Sequence, residues 1–187
     1  LVSSNLTGSI VKAGSGRTVS IFAEGIVSKR EFNGVTITNI YGTTFTPSLN
    51  TANAIAYDPV TTFVYVGGVN TDATPDECVL FKSEDSLASV WTEVPFSPTL
   101  SSIECVFAND GVVVVGGYAD AGNNAKFYKT LNNGADWEDI TPEWNDPARR
   151  PSIQAYCQDG DVGYALLRDV ATGANETYTY KIPLTGA

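Results

Sequence analysis

The chain has 187 residues, 43% of them hydrophobic and 11% aromatic, enough apolar material for one well-buried core or a short row of repeats. Its 21 acidic residues outnumber 11 basic ones, and the net charge of −10 opposes the phosphate neutralisation on which nucleic-acid binding rests, so no nucleic-acid partner is expected. No run approaches the roughly 18 apolar residues of a bilayer-spanning helix, and no secretory signal pattern opens the chain, so no membrane insertion is expected.

Histidine is absent, which removes the commonest general base and the commonest zinc ligand. Cys78, Cys105 and Cys157 are far apart, odd in number and without CxxC spacing, so neither a zinc site nor a complete disulfide framework follows. Their apolar contexts favour buried thiols, with one disulfide left open. No cofactor is expected. The first residue is Leu1 and methionine is absent, which points to a processed product or a part of a longer polypeptide. Asn5-Leu6-Thr7 and Asn175-Glu176-Thr177 fit the glycosylation pattern, a weak pointer to Asn5 and Asn175 as acceptors.

In chain order, short β-rich runs alternate with Gly, Asn, Asp and Pro turns, and no amphipathic helix is visible. The first unit reads as strands over 9–13, 18–23, 26–30 and 36–40, and the second as strands over 54–57, 63–69, 79–82 and 91–94. Phe63-Val64-Tyr65-Val66-Gly67-Gly68-Val69 then recurs as Val112-Val113-Val114-Val115-Gly116-Gly117-Tyr118. Phe81-Lys82-Ser83 recurs as Tyr128-Lys129-Thr130, and Trp91-Thr92-Glu93-Val94 as Trp137-Glu138-Asp139-Ile140. The last unit has strands over 153–157, 163–168 and 177–182 and lacks a fourth.

A four-stranded meander repeated every 40 to 50 residues predicts an all-β fold: a β-propeller or propeller-like repeat of about four four-stranded antiparallel blades, because one small sheet cannot bury both its faces alone. The expected blades are residues 5–48, 52–98, 102–148 and 152–187, with residues 1–4 completing the last and closing the ring. Lys29, Lys82, Lys129 and Lys181 recur at one blade position, which suggests stems that cover apolar surface.

The turn Thr130-Leu131-Asn132-Asn133-Gly134-Ala135-Asp136-Trp137 resembles the Asp-box, or BNR repeat, whose pattern runs Ser/Thr, any, Asp, any, Gly, any, Thr, Trp. Asn132 stands at the Asp position and Asp136 at the Thr position. A short polar side chain there can bond nearby amides, Gly134 permits a positive φ, and Trp137 can anchor between blades. Ser83, Asp85 and Trp91 form a second, looser copy, and Arg30 through Ile37 a third. The resemblance implies the propeller architecture shared by sialidases, sortilin-type receptors, photosystem assembly factors and phage or secreted surface proteins. It does not by itself imply an activity.

A sialidase of this kind would need an arginine triad, and Arg17, Arg30, Arg149, Arg150 and Arg168 do not fit its entry motif. Asp58, Asp110 and Asp159 sit at strand turns, where Asp is expected structurally rather than as a glycosidase acid pair. The acidic loop over residues 70–77 lacks EF-hand spacing and reads as solvated, so no metal site is assigned. Trp144, Arg149 and Arg150 concentrate an aromatic and two guanidiniums on one irregular connection, a composition typical of binding hot spots. The expectation is a non-catalytic recognition or structural module that presents propeller loops to a protein or glycan partner in a secreted, cell-surface or virion-surface setting. The alternatives are the propeller portion of a larger glycoside hydrolase and a structural subunit of an assembly.

Overall fold

The computed structural model describes residues 10–12, 17–21, 27–32, 37–41, 45, 49–83, 91–119, 124–143, 151–169 and 176–185. Among them every regular element is a strand. The first sheet holds β1 (Ile10–Lys12), β2 (Arg17–Ile21), β3 (Val27–Phe32) and β4 (Ile37–Tyr41), and the second β5 (Thr51–Tyr57), β6 (Val64–Asn70), β7 (Glu77–Ser83) and β8 (Trp91–Val94). The third holds β9 (Ser102–Asn109), β10 (Val112–Tyr118), β11 (Ala125–Thr130) and β12 (Glu138–Asp139), and the fourth β13 (Ser152–Asp159), β14 (Val162–Asp169) and β15 (Glu176–Pro183). Each sheet is an antiparallel meander in sequence order, as expected of propeller blades.

The repeated Val/Gly strands lie in the middle of their sheets and are covered on both faces. β6 is buried at every position, and β10 at all but its last, which is why the sequence there shows an unbroken apolar run instead of alternation. One layer joins Ala54, Ala56, Tyr65 and Leu80 of the second sheet to Ile103, Val106 and Val113 of the third. The next joins Cys105, Phe107, Val114 and Phe127 of the third sheet to Ile153, Ala165, Leu167 and Ile182 of the fourth.

The glycine pairs have a steric cause. A Cβ on Gly68 would stand 2.9 Å from Leu49 Cδ1 and run into the Thr51 carbonyl. One on Gly117 would stand 2.9 Å from Leu100 Cδ1 and run into the Ser102 carbonyl. Leu49 and Leu100 belong to a second repeated motif, Phe45-Thr46-Pro47-Ser48-Leu49 and Phe96-Ser97-Pro98-Thr99-Leu100, which leads the chain into β5 and β9. Phe45 tilts against Trp91 with ring centroids 5.3 Å apart, and Phe96 meets Trp137 edge-on at 5.0 Å.

The Asp-box-like turn between β11 and β12 is closed by its own side chains. Thr130 Oγ1 accepts from the Gly134 amide at 3.0 Å, and Asn132 Oδ1 accepts from the Asp136 amide at 2.9 Å. Trp137 Nε1 donates to the Pro95 carbonyl at 2.9 Å, so the ring is tied to the connection leaving the second sheet. Trp137 is half-buried, shallower than an interblade anchor was expected to be, because its indole edge reaches this surface connection. Glu138 and Asp139 pair with β11, and the Ile140 amide adds a bond to the Phe127 carbonyl at 2.9 Å. Ser83 is buried and pairs in register with Trp91, while Asp85 lies outside the described residues.

The recurrent lysines share one register: Lys29 opposite Val19, Lys82 opposite Tyr65, Lys129 opposite Val114 and Lys181 opposite Tyr164. Lys82 Nζ lies 4.9 Å from the Phe63 ring centroid and donates to Asn133 of the third sheet, and Lys129 Nζ donates to the Thr185 carbonyl of the fourth unit. Two of these lysines therefore bridge neighbouring blades.

The fourth sheet has one covered face. The alternation buries Gly163, Ala165 and Leu167 and leaves Leu166 39% exposed. Cys157, expected buried, is exposed because one unpaired residue, Gln154, shifts the alternation of β13: Ile153 stays opposite buried Leu167, while Cys157 falls opposite Tyr164 on the open face. Cys105 is buried and Cys78 half-buried, and all three thiols are free. Residues 1–4, expected to complete this sheet, lie outside the described residues.

Candidate binding groove

The innermost strands β5, β9 and β13 lie side by side and line a groove of about 720 Å³. This volume falls in the range of small-ligand and side-chain clefts. Each strand carries a β-bulge at the same place. The pairing skips Asn53 between Ala52 and Ala54, Glu104 between Ile103 and Cys105, and Gln154 between Ile153 and Ala155. A bulge adds one residue that the partner strand does not match and re-aims its side chain. Three polar side chains, one repeat apart, thus stand at one level of the inner strands, and Glu104 and Gln154 line the groove.

The inner edge of a blade has amides and carbonyls with no strand beside them, and the protein satisfies several itself. Tyr156 Oη accepts from the Ile55 amide at 3.2 Å. The Gln158 side-chain amide does the work of a strand residue: Oε1 accepts from the Ala108 amide at 3.0 Å and Nε2 donates to the Ala108 carbonyl at 2.7 Å. Asn53 Nδ2 donates to the Ile103 carbonyl at 3.0 Å, crossing from the second sheet to the third.

At the turn beside the groove, buried Asp58 accepts from the Val60 and Thr61 amides of its own turn and from the Asp110 and Gly111 amides of the next blade. Burial pushes its carboxyl upward, but the bonds from Gly111, Thr61 and Val60 outweigh this and hold it below the ordinary carboxylate value. Asp58 is a staple between blades, and Asp110 lends it a backbone amide. The structural reading of these two turn acids therefore fits the geometry, and Asp159 is exposed at the end of β13.

Of the residues singled out from sequence, Trp144, Arg149, Arg150, Asn5 and Asn175 lie outside the described residues. Among the described residues no three His, Cys, Asp or Glu side chains converge. Glu104, Gln154, Tyr156 and Gln158 escaped the sequence reading. The one signal was the recurrence of a polar residue at positions 53, 104 and 154, one repeat apart.

No protein-family model matches the chain, and no curated protein matches it in sequence. Solved structures do resemble it. YCF48 bound to D1 peptide superposes with a TM-score of 0.59 at 12% identity, over 94% of this chain and 54% of that one. The phage phi92 endosialidase gives 0.53 at 13% identity, over 95% and 39%. The WD40 β-propeller domain of Doa1 gives 0.50 at 13% identity, over 93% and 68%. At these identities the likeness establishes the β-propeller fold. The chain spans about half the length of the YCF48 chain, and less of the endosialidase.

Proposed function

We propose that this chain is a non-catalytic propeller module that binds a protein partner, in extended form, along the groove of its inner strands. The observation that carries the reading is the groove itself: inner strand edges, two tyrosines and the bulged polar side chains Glu104 and Gln154 around a space of about 720 Å³. Extended peptides are recognised through such combinations of backbone groups and alternating side-chain pockets. YCF48, whose fold this chain resembles, was solved with a peptide. The Asp-box-like turn works as a folding device in this reading, and a secreted, cell-surface or virion-surface setting belongs to the same proposal. A glycan is the alternative ligand.

Selection of random dodecapeptides on the immobilised chain tests this. Ala155 is exposed and lines the groove, so Ala155→Trp fills the space without entering the core. Selected peptides are expected to bind the parent and lose the Ala155→Trp variant. Peptides indifferent to the blockade, or no enrichment at all, would overturn the reading. Turnover of sialosides or β-glucans that one carboxylate substitution abolishes would place the chain among hydrolases instead.

A further inference from the structure

Glu104 is the one acid in the bulge series, standing between the amides Asn53 and Gln154, and Gln154 donates to Ser152 Oγ of its own strand. Asn53 donates an amide hydrogen to the carbonyl of Ile103, the residue just before the bulge in the next blade. The corresponding acceptor for Glu104 is the Ile153 carbonyl. A carboxylate has no hydrogen to donate. The structure meets the deficit from elsewhere: Tyr118 Oη donates to the Ile153 carbonyl at 3.1 Å, from a position held by Val69 in the preceding blade. At this junction the blade-to-blade bond is therefore made by Tyr118, and Glu104 takes no part in it.

Glu104 is then left half-buried in the wall of the groove, with no cation or hydrogen-bond donor among the described residues. Its charge is felt by its neighbours. Burial first, and then Glu104 and Glu77, push the Cys78 thiol up to about 12. Burial followed by Glu104 likewise raises the Tyr118 hydroxyl. A carboxylate released from structural duty, partly desolvated and facing a cavity stabilises a cation brought to it more than an exposed acid would.

The geometry points to Glu104 as the recognition group for a basic side chain, Arg or Lys, of the partner's extended segment. This rests on the groove being the peptide-binding surface. A metal ion fits less well, since hard cations take six or more oxygens and no three acidic, Cys or His side chains cluster among the described residues. The other functional groups of the wall suit an organic cation. Tyr57 and Tyr156 line the same groove, and Gln154 offers an amide carbonyl. The overall charge of −10 draws basic segments toward the molecule from a distance.

The test uses the full chain, 15N-labelled, and two acetylated, amidated pentapeptides, Gly-Ser-Arg-Ser-Gly and its Gln counterpart. The Arg peptide is expected to shift backbone amides of β9 and β13 and to bind at least about tenfold more tightly than the Gln peptide. That preference should vanish in Glu104→Gln and shrink as sodium chloride rises from about 50 to about 500 mM. Glu104→Asn restores the amide of the repeat and should match or exceed the parent in a thermal melt while showing no Arg preference, which separates ligand recognition from a structural role. Equal binding of both peptides, or an Arg preference that survives Glu104→Gln, overturns the assignment to Glu104. If in addition peptides from the dodecapeptide selection leave the amides of β5, β9 and β13 unmoved, the groove reading falls with it.

Discussion

Asp58 Oδ2 accepts a 2.8 Å hydrogen bond from the amide of Gly111, so a buried carboxylate in one blade holds the tip of the hairpin in the next. Three further amides, from Val60, Thr61 and Asp110, converge on Oδ1. Charge-assisted bonds of this kind are about twice as strong as neutral ones, and losing the acceptor leaves buried donors unpaired.

Asp58→Ala is accordingly expected to cost about 3 kcal/mol at neutral pH, measured by urea unfolding. The pH dependence has a definite sign. The folded carboxyl sits below its ordinary value, so its stabilisation is complete above the unfolded value of about 3.9 and is lost as pH falls through the folded one. The gap between parent and Asp58→Ala should therefore narrow below about pH 4. A gap that stays constant into strong acid would show that the bonds do not depend on ionised Asp58.

Two glycines with similar backbones should respond differently to a methyl group. Gly111 has φ +78° and open space around its missing Cβ, whereas Gly134 has φ +86° and would place a Cβ 2.7 Å from Val94 Cγ1 and against the Pro95 carbonyl. Gly111→Ala should cost only the left-handed backbone penalty of about 1 kcal/mol. Gly134→Ala should add a clash with the preceding blade and cost about 3 kcal/mol in total. Equal losses in paired urea melts would mean that the Asp-box-like turn is free to move off its neighbour.

The blade repeat is legible because the Gly pairs at 67–68 and 116–117 and the apolar runs before them satisfy strong constraints: both faces covered and a backbone pressed against a leucine. Phe45 to Leu49 and Phe96 to Leu100 carried as clear a signal, but they lie in connections, where β periodicity gives no guide. The bulges were hidden for a different reason. Asn53, Glu104 and Gln154 share no identity, and one extra residue in a strand changes its partner without changing its apparent composition. The groove depends on those bulges, so the candidate site became visible only with the strand pairing. Cys157 was misread because plain alternation puts it on the face of buried Ile153, and the bulge at Gln154 moves it to the uncovered one.

The thiols give an independent check on that coverage. Cys105 lies fully buried in a layer between blades, where burial raises its thiol far above the ordinary value, and Cys78 is held near 12 and donates to the Leu100 carbonyl at 3.3 Å. The thiolate is the reactive species, so both should be slow, while exposed Cys157 should react freely. Native protein treated with dithiobisnitrobenzoate is expected to show a single fast thiol, lost in Cys157→Ser, and all three in denaturant. Fast labelling of Cys105 would mean that the third and fourth sheets separate in solution.

Trp137 is the remaining test of how the blades are joined, because it makes two different contacts with the connection after β8. Its ring meets Phe96 edge-on at 5.0 Å, and its Nε1 donates to the Pro95 carbonyl at 2.9 Å. Trp137→Phe keeps most of the ring contact and removes the hydrogen bond, which should cost about 1 kcal/mol. Trp137→Ala removes both, and since the side chain is half-buried the loss should lie near the lower end of the range for aromatic truncation, about 3 kcal/mol. Trp91 packs on Phe45 through the matching repeat position, so Trp91→Ala should lose a similar amount. The three variants are compared with the parent by urea melts followed by circular dichroism, which does not depend on the deleted fluorophore. If Trp137→Phe proves as damaging as Trp137→Ala, the bond to Pro95 dominates over packing. If both are neutral, the indole is a surface ornament, and the Asp-box-like turn owes its position to Thr130, Asn132 and Gly134 alone.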